Sequence, residues 1–236
     1  MTTTALITGA NKGIGYEVAR QLGERGITVI VGARDEERGR AAAERLGRPY
    51  VRLDVTDEAS VQAAAKWIER EYGALDILVN NAGVAVPQDD PRPSATSAAT
   101  LRETYEVNVF GVVTVTNAML PLLRRSPAAR IVNMSSELGS VTMAVDPDSP
   151  FWPHHFLAYN SSKSALNMLT AIYAKELWDT PIKVNAANPG YCATDLNAHT
   201  GFRTPEQGAA IAVRLATLDA DGPSGAFVQD DGQLPW

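Results

Sequence analysis

Ala5–Gly15 reads ALITGANKGIG, a short apolar run that passes directly into a turn containing three glycines. Residues 5–8 have the composition of a buried strand, and Ile14–Leu22 has the apolar spacing of a helix. Glycines let a backbone approach a pyrophosphate closely, and a helix N-terminus favours its negative charge. The spacing is three residues and then one between the glycines, which differs from the commoner dinucleotide fingerprint. Glycines that only form a tight turn are the alternative interpretation.

The rest of the chain repeats this alternation of strand and helix. The predicted strands are Ala5–Thr8, Ile27–Val31, Tyr50–Leu53, Asp76–Val79, Ile131–Met134, Ile182–Ala187 and Gly225–Val228. The predicted helices are Ile14–Leu22, Glu36–Leu46, a run capped by Thr56 or Asp57 and ending at Tyr72, Ser97–Leu123, the helix that carries Tyr159, and Pro205–Leu218. Strands separated by helices of this length are typical of a parallel sheet covered on both faces. We therefore predict one Rossmann-type, doubly wound α/β domain over residues 1–236, with about seven strands.

Composition limits the classes of protein to which the chain can belong. A chain of 236 residues with 45% hydrophobic and 20% charged residues is an ordinary globular protein with an ample core. Its net charge of −6 argues against nucleic acid as a partner. Cys192 is the only cysteine, which excludes an intrachain disulfide and favours a reducing, cytoplasmic setting. Met1–Thr4 does not resemble a signal peptide, and we expect no apolar run long enough to span a membrane.

Tyr159-Asn160-Ser161-Ser162-Lys163 is the second informative stretch. On a helix, residues four apart share a face, so Tyr159 and Lys163 would project side by side. A phenol with a pKa near ~10 needs roughly 4 kcal/mol of preference for the phenolate to titrate near neutrality. One ammonium at about 4 Å, in an effective dielectric of about 20, supplies that much. The pair is a sensible general acid, although its spacing alone is a weak signal.

Several segments together resemble the short-chain dehydrogenase/reductase family over essentially the whole chain. In chain order they are Thr8–Gly15, Asn80–Gly83, Asn108, Ser136, Tyr159 with Lys163, and Asn188–Gly190. Within that family the chain looks closest to the carbonyl-reductase branch, through Ala33-Arg34-Asp35 and the ending near Gly225–Val228. The resemblance implies an NADPH-dependent oxidoreductase that reduces a ketone or aldehyde to an alcohol by hydride transfer, with NADP⁺ as the other form of the cofactor.

The resemblance also implies four catalytic roles. Tyr159 would donate a proton to the substrate carbonyl oxygen, and Lys163 would lower the pKa of that phenol and bind the nicotinamide ribose. Ser136 would hydrogen-bond the same oxygen, and Asn108 would hold a water that links Lys163 to solvent. Because strand alternation allows only one of Ser135 and Ser136 to face the site, the family register favours Ser136.

Cofactor contacts implied by the resemblance lie mainly in residues 1–135, with catalytic and substrate elements mainly in 136–236. The implied contacts are Gly9, Asn11, Lys12, Gly13, Ile14, Gly15, Arg34, Asp54, Val55, Asn81, Ala82, Gly83, Tyr159, Lys163, Pro189, Gly190 and Thr194. Lys12 and Arg34 would bind the 2′-phosphate that distinguishes NADPH, while Asp35 points to the next helix as a cap. Both cations could instead be solvated surface charges, and Asp54 could be a helix cap.

The substrate is a small molecule, and the implied pocket residues are Ser136, Trp152, Tyr159 and Tyr191. The loop from Glu137 to Ala158 is longer than in minimal family members and shorter than in monomeric carbonyl reductases. A dimer, a tetramer and a monomer therefore all remain open. His154-His155 reads as a loop pair, and no metal site is expected because no Cys or carboxylate lies at ligand spacing.

The same residues are compatible with several alternative functions. An NAD(P)-dependent alcohol dehydrogenase and an imine or enone reductase use the same chemistry. A non-catalytic dinucleotide-sensing protein usually loses the Tyr or the Lys, and both are present here. A nucleotide-sugar epimerase or dehydratase needs a larger C-terminal domain than the about 45 residues that follow Pro189-Gly190.

Overall fold

The computed structural model describes residues 3–90 and 92–236, so the predicted start at Met1–Thr2 and Pro91 of the predicted loop lie outside the described residues. The strands are β1 (Thr4–Thr8), β2 (Thr28–Ala33), β3 (Tyr50–Arg52), β4 (Ile77–Asn80), β5 (Arg130–Met134), β6 (Lys183–Ala187), β7 (Phe227–Gln229) and β8 (Gly232–Gln233). The helices are α1 (Gly13–Glu24), α2 (Glu36–Leu46), α3 (Glu58–Tyr72), α4 (Ala98–Tyr105), α5 (Gly111–Leu123), α6 (Val141–Ala144), α7 (Leu157–Glu176) and α8 (Pro205–Ala216).

One sheet contains all eight of these strands, in the order β3-β2-β1-β4-β5-β6-β7-β8. Strands β1 to β7 are parallel, and β8 pairs antiparallel with β7. The doubly wound α/β fold is therefore confirmed. The expected number of about seven strands misses β8, because a two-residue strand is too short to produce a periodic pattern. The chain reverses direction across the sheet between β1 and β4, and ligands of such folds bind at that switch point.

Two apolar layers flank the sheet, because alternate strand residues point to opposite faces. Ile7 of β1 packs with the core that also contains residues of α1 and α8, and these two helices pack against each other. Leu6 packs in the opposite layer with residues of α3, α5 and α7. All five residues of β1 are buried, as in a strand covered on both faces.

The prediction of one continuous helix from Ser97 to Leu123 is wrong, because the α-helix is interrupted near its middle. A π-helical turn, Glu106–Phe110, separates α4 from α5. Its polar residue Asn108 is buried, with 1% of its surface exposed. Such turns are rare and occur frequently at functional sites.

The run Ala98–Leu123 also corrects an expectation about membranes. Its mean hydropathy of 1.4 and its length satisfy the requirement for a membrane span, so the expectation that no such run is present is wrong. Half of the most apolar part of this run is buried inside the domain. Val115 and Met119 pack in the core with α3. The core helix of a globular domain explains this apolar run.

Candidate active site

The turns that follow β1 and β4 pack together at the switch point. Gly9 has a left-handed φ of 63°, and a Cβ there would lie 3.0 Å from the Ala82 Cα. A Cβ on Gly15 would lie 2.3 Å from the Asn81 Nδ2. That nitrogen donates to the Thr8 carbonyl at 2.8 Å and to the Gly9 carbonyl at 3.2 Å. Neither glycine can therefore carry a side chain without moving the turns apart.

Helix α1 begins inside this turn without a side-chain cap. Lys12 is its N-cap residue and makes no capping hydrogen bond, and no acidic residue lies in the first turn. The first amides of a helix have no intrahelical partner, so they remain available to an anion. Thr194 approaches from the other end of the chain, its Cγ2 lying 3.6 Å from the Cβ position of Gly13. The turn therefore fits the pyrophosphate of a dinucleotide.

Positive side chains collect beside the same turn. Asp35 accepts a hydrogen bond from the Arg38 amide at 2.9 Å and caps α2, as expected, while Arg34 is exposed. A cavity of about 360 Å³ is lined by Asn11, Lys12, Arg38, Ala41, Glu44 and Arg45. Arg38, four residues after Arg34, is not among the cations that the sequence assigns to the phosphate. This cavity lies between the glycine turn and α2, and its cations could bind a phosphate.

Asp54 and Val55 lie beyond β3. The Asp54 carboxylate accepts hydrogen bonds from the Thr56 amide at 3.0 Å and the Thr56 hydroxyl at 2.8 Å. The cap of α3 is Asp57 instead. Val55 packs on Gly111, where a Cβ would lie 2.8 Å from the Val55 Cγ2. Asp54 is therefore not a helix cap, and its predicted adenine contact stays a prediction.

Tyr159 and Lys163 lie one turn apart on α7. The Lys163 Nζ is 5.5 Å from the centre of the Tyr159 ring and donates to the Met134 carbonyl, at the end of β5, at 2.8 Å. It also lies 3.6 Å from the Cβ position of Gly83. Lys163 is buried and Tyr159 half-buried. The ammonium therefore sits between the phenol and the turn after β4.

The protonation of this pair differs from the expectation. Burial, and then the charge of Glu137, raise the pKa of Tyr159 to about 12, while a hydrogen bond with Ser136 lowers it. Burial lowers the pKa of Lys163 to about 8. The predicted net lowering of the phenol's pKa is wrong for this arrangement, because desolvation outweighs the attraction of the ammonium, which bonds the Met134 carbonyl and lies over the ring.

Ser135 and Ser136 point in different directions. The Ser135 hydroxyl donates to the Asn167 Oδ1 on α7 at 2.5 Å and is buried. The Ser136 hydroxyl accepts from the Leu138 amide at 3.2 Å and lies within reach of the Tyr159 phenol. The structure thus brings Ser136, and not Ser135, to the phenol. Its catalytic role stays a prediction.

Asn108 joins the π-helical turn to two other parts of the site. Its Oδ1 accepts from the Val84 amide at 2.8 Å, and its Nδ2 donates to the Val84 carbonyl at 2.9 Å. The same nitrogen bonds the Ser162 hydroxyl on α7 at 3.0 Å. Asn108 therefore fixes the turn after β4 against the helix that carries Tyr159 and Lys163. The water that it is expected to hold stays a prediction.

Asn188 organises the turn that precedes Pro189 and Gly190. Its Oδ1 accepts from the Glu137 amide at 3.3 Å and from the Gly190 amide at 3.2 Å. Gly190 has a left-handed φ of 71°, which favours glycine. One buried amide thus connects the turns after β5 and β6, a structural role that the motif alone did not reveal.

The two predicted pocket aromatics lie in different places. Trp152, 46% exposed, lines a small cavity together with Glu137 and Asn160. Tyr191 packs against the edge of Phe202 with ring centres 6.0 Å apart and bonds the Thr200 hydroxyl, and it is not part of that cavity. Glu137 is not among the pocket residues expected from the sequence, because nothing in its neighbourhood distinguishes it from a surface glutamate.

Metal-ligating side chains do not cluster in the part of the chain that the structure describes. No group of three or more His, Cys, Asp or Glu side chains there could hold a metal ion. Cys192 is buried, with its Sγ bonded to the Pro189 carbonyl at 3.3 Å, and burial raises the pKa of its thiol. The Cys192 thiol is therefore protonated near neutral pH and packs in the interior of the domain.

A glycine turn at the switch point of a parallel sheet, beside a Tyr–Lys pair and a serine, defines an α/β oxidoreductase that uses a nicotinamide dinucleotide. The sequence profile of the short chain dehydrogenase family matches residues 3–203. The chain belongs to the short-chain dehydrogenase family, and its relatives include carbonyl reductases.

Individual relatives match along nearly their whole length. The chain is 34% identical to (−)-isopiperitenone reductase of Mentha piperita, over 98% of this chain and 97% of that protein. It is also 34% identical to carbonyl reductase (NADPH) 1 of Mus musculus, over 98% of each. The structure of NADPH-bound carbonyl reductase from chicken fatty liver superposes with a TM-score of 0.87 at 28% identity, covering 100% of this chain and 99% of that one.

Proposed function

We propose that this protein is an NADPH-dependent reductase that converts a ketone or aldehyde carbonyl to an alcohol. The observation that carries the proposal is the position of Lys163, whose ammonium lies 5.5 Å from the Tyr159 ring centre and next to the Gly83 turn. Ser136 lies beside the same phenol. A proton donor, its cation and a hydrogen-bond donor for a carbonyl oxygen therefore share one end of the sheet.

Each side chain has a distinct task in the reaction. NADPH, when bound, supplies the hydride that reduces the carbonyl carbon. Tyr159 donates its phenolic proton to the carbonyl oxygen, so that one hydride and one proton convert the carbonyl to an alcohol. Ser136 hydrogen-bonds this oxygen and fixes its position. Lys163, with a pKa of about 8, is mostly protonated at pH 7 and stabilises the phenolate that remains.

The preference for NADPH is supported by charge. The chain carries a net charge of −6, yet three of the six residues lining the cavity beside the glycine turn are cations, namely Lys12, Arg38 and Arg45. Arg34 is exposed at the end of β2, where an acidic residue would favour NAD. A local positive patch on an acidic protein suits a 2′-phosphate.

Consumption of NADPH tests this function directly. We would follow NADPH absorbance with a panel of ketones, aldehydes, quinones, imines and enones, and we expect the fastest oxidation with a ketone or aldehyde. Tyr159→Phe should reduce turnover by at least about 10², the low end for a positioned acid, without loss of NADPH binding. Tyr173→Phe is the matched control, because Tyr173 lies on the same helix and its hydroxyl donates to the Asn117 side chain, away from the proposed site.

Two results would contradict the proposal. One is NADPH binding without oxidation by any compound of the panel, which would favour a dinucleotide-sensing protein. The other is near-normal turnover of a good substrate by Tyr159→Phe, which would remove Tyr159 as the proton donor.

A further inference from the structure

A second, smaller cavity of about 30 Å³ lies beside the proposed catalytic residues. Glu137, which follows Ser136, and Asn160, which follows Tyr159, both line it. Phe151 and Trp152 contribute aromatic side chains, and His154 and His155 also line the cavity. The sequence neighbours of the two carbonyl-binding side chains thus meet in one place.

Two hydrogen-bond acceptors in this cavity have no partner in the part of the chain that the structure describes. Glu137 is 9% exposed, and its Oε2 has no hydrogen-bond partner. The Oδ1 of Asn160 is also buried without a partner, while its Nδ2 donates to the His154 carbonyl at 3.2 Å. A buried polar atom without a partner costs free energy, most of all when it is charged. Neither of these two acceptors receives a hydrogen bond from the described residues.

Hydrogen bonds and close packing anchor the backbone around Glu137. Its amide donates to the Asn188 Oδ1 at 3.3 Å. Two residues further on, a Cβ on Gly139 would lie 2.7 Å from the Lys163 Cβ, so this turn packs directly against α7. The Ser164 hydroxyl donates to the Gly139 carbonyl at 2.9 Å. These contacts hold the backbone of the turn that carries both Ser136 and Glu137.

The chemistry of the missing donor follows from these contacts. Two acceptors require N–H or O–H donors, and a carboxylate favours a cation among them. A cavity of about 30 Å³ has room for one water-sized group. The rings of Phe151 and Trp152 suit a cation as well. A primary ammonium meets all of these requirements.

We propose that Glu137 and Asn160 form a subsite for the ammonium group of the substrate, which makes this enzyme selective for amino ketones or amino aldehydes. This inference rests on the proposed reductase function and narrows its substrate class. The charge of Glu137 raises the pKa of Tyr159, so an ammonium held at Glu137 would offset that charge close to the proton donor. Substrate recognition and proton donation would then be electrostatically coupled.

Matched ketones test the subsite. Aminoacetone and butan-2-one have the same size and differ in the replacement of an ammonium by a methyl group, and 4-aminobutan-2-one and pentan-2-one form a second pair with a longer spacer. We would compare kcat/KM with NADPH at pH 7 within each pair. For the wild type we expect the amino ketone of at least one pair to be favoured about 10- to 100-fold, the size of hydrogen bonds to a charged group.

Two substitutions should change this ratio in opposite directions. Glu137→Gln keeps the shape and removes the charge, and it should bring the ratio close to one. Asn160→Asp adds a carboxylate and should raise the ratio at least about threefold. Each ratio compares two substrates on the same variant, so a loss of activity that affects both substrates equally leaves the ratio unchanged. Glu58→Gln, at an exposed position on α3, is the matched control and should keep the wild-type ratio.

A binding measurement separates the two proposals. We would record the thermal unfolding midpoint with ethylammonium chloride against sodium chloride at equal ionic strength, and expect a stabilisation that Glu137→Gln abolishes. Reduction of both members of each pair at equal efficiency, with no such stabilisation, would overturn the subsite and leave the reductase function standing. Stabilisation by ethylammonium without reduction of any ketone would overturn the reductase function and support the subsite.

Discussion

The Lys12 ammonium lies 2.5 Å from the Asp195 carboxylate, which joins the glycine turn of α1 to the segment after β6 across 183 residues of sequence. The Asp195 carboxylate also contacts the His199 Nε2 at 2.8 Å. Both members of the Lys12 pair are more than half exposed, so solvent screens their attraction. The Asp195 carboxylate is therefore paired with Lys12, one of the two cations that the sequence assigns to the 2′-phosphate.

Asp195→Asn should strengthen NADPH binding, because it frees Lys12 for the 2′-phosphate. We expect a gain of about two- to fivefold, the size of an exposed ion pair, measured by calorimetric titration. NADH lacks the 2′-phosphate, so its affinity should not change. Asp179→Asn is the control, because Asp179 is exposed and forms no ion pair with the residues that the structure describes. An equal gain for NADH would show that the effect is not directed at the phosphate.

Lys163→Ala should reduce turnover and also weaken NADPH binding, because Lys163 stabilises the phenolate and lies 3.6 Å from the Cβ position of Gly83. Tyr159→Phe should reduce turnover alone. Steady-state kinetics and a fluorescence titration of NADPH separate the two effects. Unchanged NADPH affinity in Lys163→Ala would leave this lysine no role in cofactor binding.

Arg34→Asp should abolish most of the preference for NADPH, and Lys12→Ala should weaken it less. Two charge-assisted contacts favour NADPH over NADH by about 10² or more. Arg38→Asp should act in the same direction as Arg34→Asp, because Arg38 lines the cavity that Lys12 also lines. The measurement is kcat/KM for both cofactors on one substrate. Equal values in the wild type would contradict the assignment of this cavity to the phosphate.

Lys163→Met should change how stability depends on pH. Burial lowers the pKa of Lys163 from 10.5 to about 8, so between these values the unfolded chain binds more protons than the folded one. The free energy of unfolding of the wild type therefore rises with pH across that window, by about 3 kcal/mol from this group. The variant lacks this rise, so its stability relative to the wild type should fall from pH 8 to pH 10.5.

Urea denaturation at several pH values checks this difference. Tyr159, whose pKa is raised to about 12, contributes a slope of opposite sign above pH 10. That slope belongs to both proteins and cancels in the comparison. Lys66→Met, at an exposed position on α3, is the control and should track the wild type. A difference that stays constant with pH would mean that Lys163 titrates near its ordinary value.

Asn108→Ala should destabilise the fold, because it removes three hydrogen bonds of a buried side chain, two to Val84 and one to Ser162. We expect a loss of about 2–4 kcal/mol in the free energy of unfolding, measured with urea. Asn117→Ala, which removes one exposed bond to Tyr173, should cost less than about 1 kcal/mol. Similar losses in both variants would show that the π-helical turn does not depend on Asn108.

The sequence by itself determined the order of strands and helices and most of the residues that meet at the switch point. Helix α2 has the predicted bounds, and Asp35 and Asp57 cap the helices that follow them. Caps and apolar periods depend on groups within a few residues of each other, so they can be read from a single chain. The order of the motifs indicated the family for the same reason.

Only the tertiary structure decided the state of the site. The isolated carboxylate of Glu137, the pair between Lys12 and Asp195, and the cavity that Arg38 lines all join residues distant in sequence or depend on burial. The direction of the shift in the Tyr159 pKa also depends on burial: the i to i+4 spacing of Lys163 predicted a lower pKa, and burial raises it. Desolvation and Coulomb energies depend on the distance and dielectric around each group, and these exist only once the chain has folded.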